Sequence, residues 1–185
     1  KAKFQVFEIE KYGVPERRRR VIFVATHRKS SDITFPEQDS KIPTVNEALA
    51  KLKGITKLYN HEMHENGSEV KLRIQHIPPG GYYRDLPEEL KTKKVRNGQL
   101  VTVLRYGSYF RRLKGDTPAL TITKNYLIHP AKDRYLTNRE KAVIHTFPTD
   151  YSFSGSLEGI STQIANAVPP EFARRIAEHL KLLIS

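Results

Sequence analysis

The sequence contains no cysteine. That excludes disulfides, cysteine-ligated metals and any reaction whose nucleophile is a cysteine of this chain, and it fits a reducing compartment. Methionine occurs once, at Met63, and the chain opens on Lys1, so the sequence is expected to be a processed or excerpted piece of a longer protein. No run approaches the roughly 20 apolar residues of a membrane span, and no secretory pattern opens the chain. Walker-type phosphate loops, G-x-G-x-x-G and G-x-S-x-G are absent as well. Acidic residues are the scarcer charge, 20 Asp and Glu against 32 Lys and Arg, for a net charge of +12. An excess of that size points to a polyanionic partner, most often nucleic acid. At 185 residues the chain can fill one core, or one domain plus part of another.

Phe4–Glu10 (FQVFEIE) reads as a strand, and Val21–Ala25 (VIFVA), a continuous apolar run, as a strand buried on both faces. Gly13 and Pro15 mark the connection as a loop, and so short a connection can only join the strands antiparallel. Thr44 and Glu47 form a capping box for a helix over Thr44–Gly54 with Val45, Leu49 and Leu52 on one face. From Ile55 to Asn97 the pattern is irregular, broken by Pro78-Pro79-Gly80-Gly81, with a short helix near Leu86–Leu90. Gln99–Arg105 and Ala119–Lys124 alternate as strands. Thr137 with Glu140 caps a helix to about His145. Pro169-Pro170 opens a last helix with Phe172, Ile176, Leu180 and Leu183 on its buried face.

Arg17–Arg20 is the densest charge cluster. It suits a solvated loop or, held between two strands so that successive side chains diverge, a phosphate site with some arginines turned inward. Lys91, Lys93, Lys94 and Arg96 add a second basic patch. Gln163-x-x-Asn166-Ala167-Val168-Pro169-Pro170 reads either as a plain turn into a helix or as a binding loop. Thr121 and Thr123 sit on a candidate strand, where a threonine needs no function. Tyr82, Tyr83 and Arg84 follow two glycines and suit a groove-entering loop or a packed surface turn. His61-Glu62-Met63-His64 misses H-E-x-x-H by one residue and has no evident third ligand, so no metal site is expected.

Four segments together resemble the C-terminal part of DNA (cytosine-5) methyltransferases. They are Tyr12–Val24 (YGVPERRRRVIFV), Arg112-Leu113 with Pro118–Thr123 (PALTIT), Arg134–Tyr151 (RYLTNREKAVIHTFPTDY) and Gln163–Pro170 (QIANAVPP). The resemblance runs nearly end to end and is strongest over 12–24 and 112–170. The family's earlier motifs, the F-x-G-x-G cofactor loop, the P-C nucleophile loop and the E-N-V loop, are absent. The fold class it implies is α/β. Residues 1–38 would be terminal strands of a Rossmann-like, S-adenosylmethionine-dependent methyltransferase domain, with the arginine loop between them. Residues 39–130 would be a small, irregular, β-containing target-recognition domain. Residues 131–185 would return through a hinge helix and a cofactor-side loop to a closing helix.

By register with the family's Q-x-R-x-R, Glu16 takes the glutamine position and Arg18 and Arg20 the two arginines. The resemblance implies that Arg20 reaches O2 of a flipped cytosine and steadies charge developing on the ring, with Arg18 helping to hold the DNA backbone and the active-site loop. Arg17, outside that register, adds a phosphate contact. Arg112, Thr121 and Thr123 are other implied DNA contacts, as are Tyr83 and Arg84 in His76–Leu90 (HIPPGGYYRDLPEEL), which resembles a recognition-domain loop of bacterial members. Asn166, Ala167 and Val168 match the Q-x-G-N-A/S-V loop that closes over S-adenosylmethionine. The segment Arg134–Tyr151 reads as architecture, with Arg139 or Glu140 in a buried ion pair. Two departures stand out. Glu16 replaces glutamine, and Ala165 replaces a glycine, where a positive φ would cost the alanine roughly 1 kcal/mol.

The implied activity is that of a subunit or fragment of a bacterial restriction-modification methyltransferase, cytoplasmic and acting at the nucleoid on double-stranded DNA. In that chemistry the base is flipped out, a thiolate adds to C6, C5 attacks the methyl sulfonium, and a proton is lost. The nucleophile and most of the S-adenosylmethionine site would come from an N-terminal half, as a separate subunit or as the rest of one polypeptide, and this chain alone would be inactive. The alternative is an inactive DNA-binding module, which the two departures favour and the otherwise intact loop residues oppose.

Overall fold

The computed structural model describes residues 1–27, 32–103 and 110–184. Strands β1 (Ala2–Glu8) and β2 (Arg19–Ala25) pair antiparallel, in a register running from Ala2 opposite Ala25 to Glu8 opposite Arg19. Gly13 ends a 3₁₀ turn in their connection at φ +81°, a left-handed value that glycine adopts freely. The hairpin has two unlike faces. On one, Phe7 packs with Ile9, Tyr12, Val14 and Phe172. On the other, Phe4, Val6, Val21 and Phe23 are 46% to 73% exposed. The apolar run of β2 is therefore not buried on both faces. Strand alternation puts Val21 and Phe23 on a side that nothing among the described residues covers.

Helix α1 (Val45–Ala50) has both bonds of the Thr44–Glu47 capping box and stops short of the expected Gly54. Helix α2 (Ser68–Gln75) lies in the stretch whose sequence reads as irregular, and its Ile74 packs with Ile77, Tyr83, Leu86 and Ile128. The expected helix near Leu86–Leu90 is instead a 3₁₀ turn, Glu88–Leu90, preceded by another at Tyr83–Asp85. Strands β3 (Lys93–Arg96) and β4 (Gln99–Thr102) form a second antiparallel hairpin. Its turn, Asn97 and Gly98 at φ +50° and +77°, has the two left-handed residues that match strand twist in a two-residue loop. The strand expected to reach Arg105 ends at Thr102, and Arg105 itself lies outside the described residues. Two-residue strands β5 (Arg111–Arg112) and β6 (Leu127–Ile128) pair in parallel.

Helix α3 (Asn138–Ile144), capped as predicted by Thr137 and Glu140, is buried along its whole length. It packs against α1 and α4 (Leu157–Asn166), in a core that also takes Leu113, Ala119, Ile122 and Leu127. Its buried ion pair falls to Glu140, which accepts both Arg134 guanidinium nitrogens at 2.7 Å. Burial pushes the Glu140 carboxyl up, but Arg134 and the Thr137 N–H together hold it below its usual range. Arg139 instead donates to the carbonyls of Tyr59, Pro148 and Tyr151. Helix α5 (Pro170–Ile184) closes on the hairpin through Phe172 and Ile176.

Helix α4 corrects two expectations. Gln163–Asn166 is its last turn rather than a loop, so the connection to α5 is only Ala167–Pro169. Ala165 lies inside that helix with no positive φ, and the strain expected of alanine there does not arise.

Candidate active-site cleft and DNA-facing surface

From Glu16 to Arg20 the side chains alternate, with Glu16 and Arg18 buried, Arg17 and Arg19 exposed and Arg20 half-buried. The segment before Ile122 fixes this alternation. The Ala119 N–H donates to the Pro15 carbonyl at 2.9 Å, and the Arg17 N–H donates to the Ala119 carbonyl at 2.8 Å. The Thr121 hydroxyl donates to the Arg17 carbonyl at 2.7 Å. Beyond that point the Glu16 side chain takes over, accepting the Ile122 N–H at 2.8 Å. Ala119–Lys124 therefore does not continue as the predicted strand, because its partner after the single Glu16–Ala119 bridge is a carboxylate and not a second ladder.

Arg18 is 6% exposed, and its guanidinium donates to the carbonyls of Ala165 at 2.7 Å and Ile122 at 3.2 Å. Expected at the DNA backbone, it is a buried clamp between the arginine loop and the end of α4. Arg20 donates to the Arg19 carbonyl at 2.7 Å. Partial burial, and then the Arg18 charge, push the Arg20 guanidinium down, with Glu16 opposing. A cation held in that way, with no carboxylate contacting it among the described residues, is available to a ligand. The exposed Arg17 guanidinium likewise has no partner among the described residues.

Arg18, Arg20, Thr121, Thr123 and Asn166 line one cleft of 310 Å³, together with Ile122, Lys124, Thr162 and Ala165. Five predicted residues from three separated segments thus meet. Lys124 and Thr162 are additions, and only their neighbours in sequence pointed to them. Asn166 and Val168 are exposed and Ala167 half-buried, on a backbone whose Ala165 and Ala167 carbonyls turn inward to Arg18 and His145.

Three implied DNA contacts lie elsewhere. Arg112 is 5% exposed and donates to the carbonyls of Ile77, His129, Lys132 and Ile74 and to Asp133. Every nitrogen is engaged inside the protein, so Arg112 is a structural hub and not a phosphate ligand. Tyr83, 1% exposed, packs in the α2 cluster with its hydroxyl accepting the Thr92 N–H, which removes it from any groove. Arg84 is exposed beside it, away from the cleft residues.

The β3–β4 hairpin presents a basic surface of a different kind. Lys93 to Gln99 are exposed throughout. The register puts Arg96 opposite Gln99 at the tip, with Lys94 and Val101 on the same face. The Asn97-Gly98 dipeptide between two alternating runs is the sequence signal that reveals this element. His61 bonds the Thr137 hydroxyl at 2.9 Å, while the His64 ring packs tilted against Tyr126 with centroids 4.7 Å apart. Among the described residues no group of three His, Cys, Asp or Glu could hold a metal, and no helix is long and apolar enough to cross a membrane.

The C-5 cytosine-specific DNA methylase family matches residues 1–182. The type II methyltransferase M.BbvI of Brevibacillus brevis is 38% identical over 186 residues, covering 94% of this chain and 46% of that protein. M.AquIB of Picosynechococcus is 33% identical over 133 residues, which are 64% of this chain and 84% of that protein. The chain therefore spans about half the length of M.BbvI but most of M.AquIB. A prophage-encoded protein of E. coli, described as a DNA modification methyltransferase, superposes with a TM-score of 0.64 at 19% identity, over all of this chain and 61% of its own. The fold is thus that of α/β DNA methyltransferases.

Proposed function

Because the chain belongs to the C-5 cytosine-specific DNA methylase family, we propose that it supplies the DNA-recognising and cytosine-holding part of a restriction-modification methyltransferase. The observation that carries this reading is the cleft in which Arg20, Thr121 and Asn166 meet. Arg20 reaches the flipped cytosine and steadies charge on its ring, in a half-buried position where a fixed cation acts more strongly than in water. Arg17 and Lys124, exposed on either side of Thr121, take backbone phosphates. Arg96 and Gln99 read base edges from the tip of the β3–β4 ribbon, since a two-stranded ribbon fits the major groove and these two side chains suit guanine and adenine. On this reading residues 39–130 are the target-recognition part, and both ends of the chain belong to the catalytic domain.

S-adenosylmethionine supplies the methyl group. Asn166 and Val168, a polar and an apolar side chain exposed on a braced turn, fit the margin of its site. The remainder of that site and the cysteine nucleophile belong to an N-terminal half, for which the exposed Phe4, Val6, Val21 and Phe23 face is the docking surface. The coverage of M.AquIB makes a separate subunit as natural an arrangement as a longer polypeptide. Glu16 and Ala165, the departures that favoured an inactive DNA-binding module, are both accommodated without strain, and this supports the active reading.

Bisulfite mapping of DNA from bacteria expressing the chain with a half that carries the P-C and E-N-V loops tests the proposal. Methylation is expected with the pair and not with either part alone. A pair that co-purifies but leaves host DNA unmethylated would overturn it.

A further inference from the structure

Glu16 and His145 are both 0% exposed, with the Glu16 Oε2 2.5 Å from the His145 Nδ1. The opposite ring nitrogen, Nε2, lies 3.1 Å from the Ala167 carbonyl oxygen. A carbonyl can only accept, so Nε2 carries a proton. A carboxylate oxygen at hydrogen-bond distance from Nδ1 requires a second proton between them. The pair therefore holds one proton more than a carboxylate and a neutral imidazole would, and is neutral as a unit. Without that proton, two lone pairs would face each other at 2.5 Å in a site closed to water, where a hydrogen bond left unmade is costly.

We propose that Glu16 and His145 form a proton-sharing brace that positions the Asn166–Val168 turn against the arginine loop. The remaining Glu16 oxygen, which accepts the Ile122 N–H, also faces the Arg18 Nη1 at 3.4 Å. Arg18 donates to the Ala165 carbonyl, and His145 donates to the Ala167 carbonyl. The two carbonyls flanking Asn166 are thus each gripped by a donor that itself rests on Glu16. One carboxylate sets the position of both. The charged groups facing the brace are Arg18, in contact, and Arg20 beyond it, while Lys141 on the same helix turns away to the Asn125 carbonyl and the Ser161 hydroxyl. A glutamine at position 16 would keep every bond, its amide donating to an unprotonated Nδ1. The glutamate of this chain is equivalent to that glutamine plus a proton held by His145. Glu16 and His145 are positioning residues, and their effect on catalysis rests on the methyltransferase reading.

The test uses the protein complete with its nucleophile-bearing half. Imidazole ¹⁵N signals of His145 should show protons associated with both ring nitrogens in the wild type and only Nε2 protonated in E16Q. This readout needs no catalysis, so it decides the brace even if methylation fails and the proposed function falls. In turnover, H145Q should raise KM for S-adenosylmethionine about tenfold to hundredfold, the span of one hydrogen bond to a buried charge, with kcat less affected. Adding E16Q should recover most of that loss, because two neutral amides then face each other. A wild-type His145 with a bare Nδ1, or H145Q and E16Q effects that merely add, would overturn the brace. Should H145Q fail to fold, the wild-type and E16Q spectra still decide.

Discussion

Phe4 and Phe23 face each other across the β1–β2 pair with ring centroids 5.4 Å apart, and both are more than half exposed. Two phenylalanines in contact but open to water are an unfinished core, since each contributes about 1.5–3 kcal/mol when buried. Replacing both with serine is expected to weaken assembly with the proposed N-terminal half by at least about a hundredfold, measured by co-purification and titration calorimetry. The fold of this chain should survive by circular dichroism, because Phe7, Tyr12 and Phe172 pack on the opposite face.

Arg20→Ala, in the assembled enzyme, should lower turnover by about 10²-fold, the scale of losing one preorganised donor, with little change in DNA affinity. Arg17→Ala should do the reverse, weakening DNA modestly and reducing the salt slope by about 1 while turnover holds. Single-turnover methyl transfer and filter binding across a salt series separate the two. Matching behaviour would reduce the loop to an electrostatic anchor.

At the hairpin tip, Arg96→Ala and Gln99→Ala should each cost about 1–3 kcal/mol of discrimination between the cognate site and single-base variants. Lys93→Ala, on the other face, should weaken all sequences alike. Competition binding against a set of substituted sites reads the difference.

The sequence was most legible where local chemistry suffices. Both capping boxes, the antiparallel opening hairpin and the start of the last helix needed only short-range patterns. The cleft was legible only in part. Arg20, Thr121 and Asn166 could be singled out from their segments, but the Ile122 N–H accepted by Glu16 comes from a strand-like segment whose partner is a side chain, and no periodicity encodes that. Arg18 and Arg112 read as DNA ligands through the family resemblance, yet a guanidinium also satisfies several buried carbonyls at once, which only tertiary structure reveals. Apolar continuity in β2 says nothing about what lies beyond this chain, so the exposed Phe23 face could not be foreseen.

Burial alone pushes the Lys141 ammonium down from 10.5 to about 8. Between those values the unfolded chain binds more protons than the folded one, so stability should rise with pH across that window. His129, also pushed down by burial, from 6.5 to about 4, acts at the other end, and stability should fall as pH drops from 6.5 toward 4. Thermal midpoints of the wild type and of Lys141→Met, compared from pH 7 to 10.5, should show the wild type rising relative to the variant, which lacks the alkaline increment.

Arg112→Met should destabilise the protein by at least about 3 kcal/mol, because four carbonyls lose their shared donor in a closed site. Its salt dependence of DNA binding should not change. Chemical denaturation and a salt titration check the two halves of that statement, and a normal stability with a reduced slope would return Arg112 to the DNA.

That hub has an evolutionary corollary. One guanidinium at Arg112, rather than an extended ladder, ties together the backbone around α2 and β6, so the outward side chains of the β3–β4 ribbon contribute little to cohesion. On the proposed function the ribbon is a reading head that can be rewritten residue by residue, or exchanged whole between relatives, while the machinery it serves stays intact. Selection for new target sequences would find its variation there at almost no cost in foldedness.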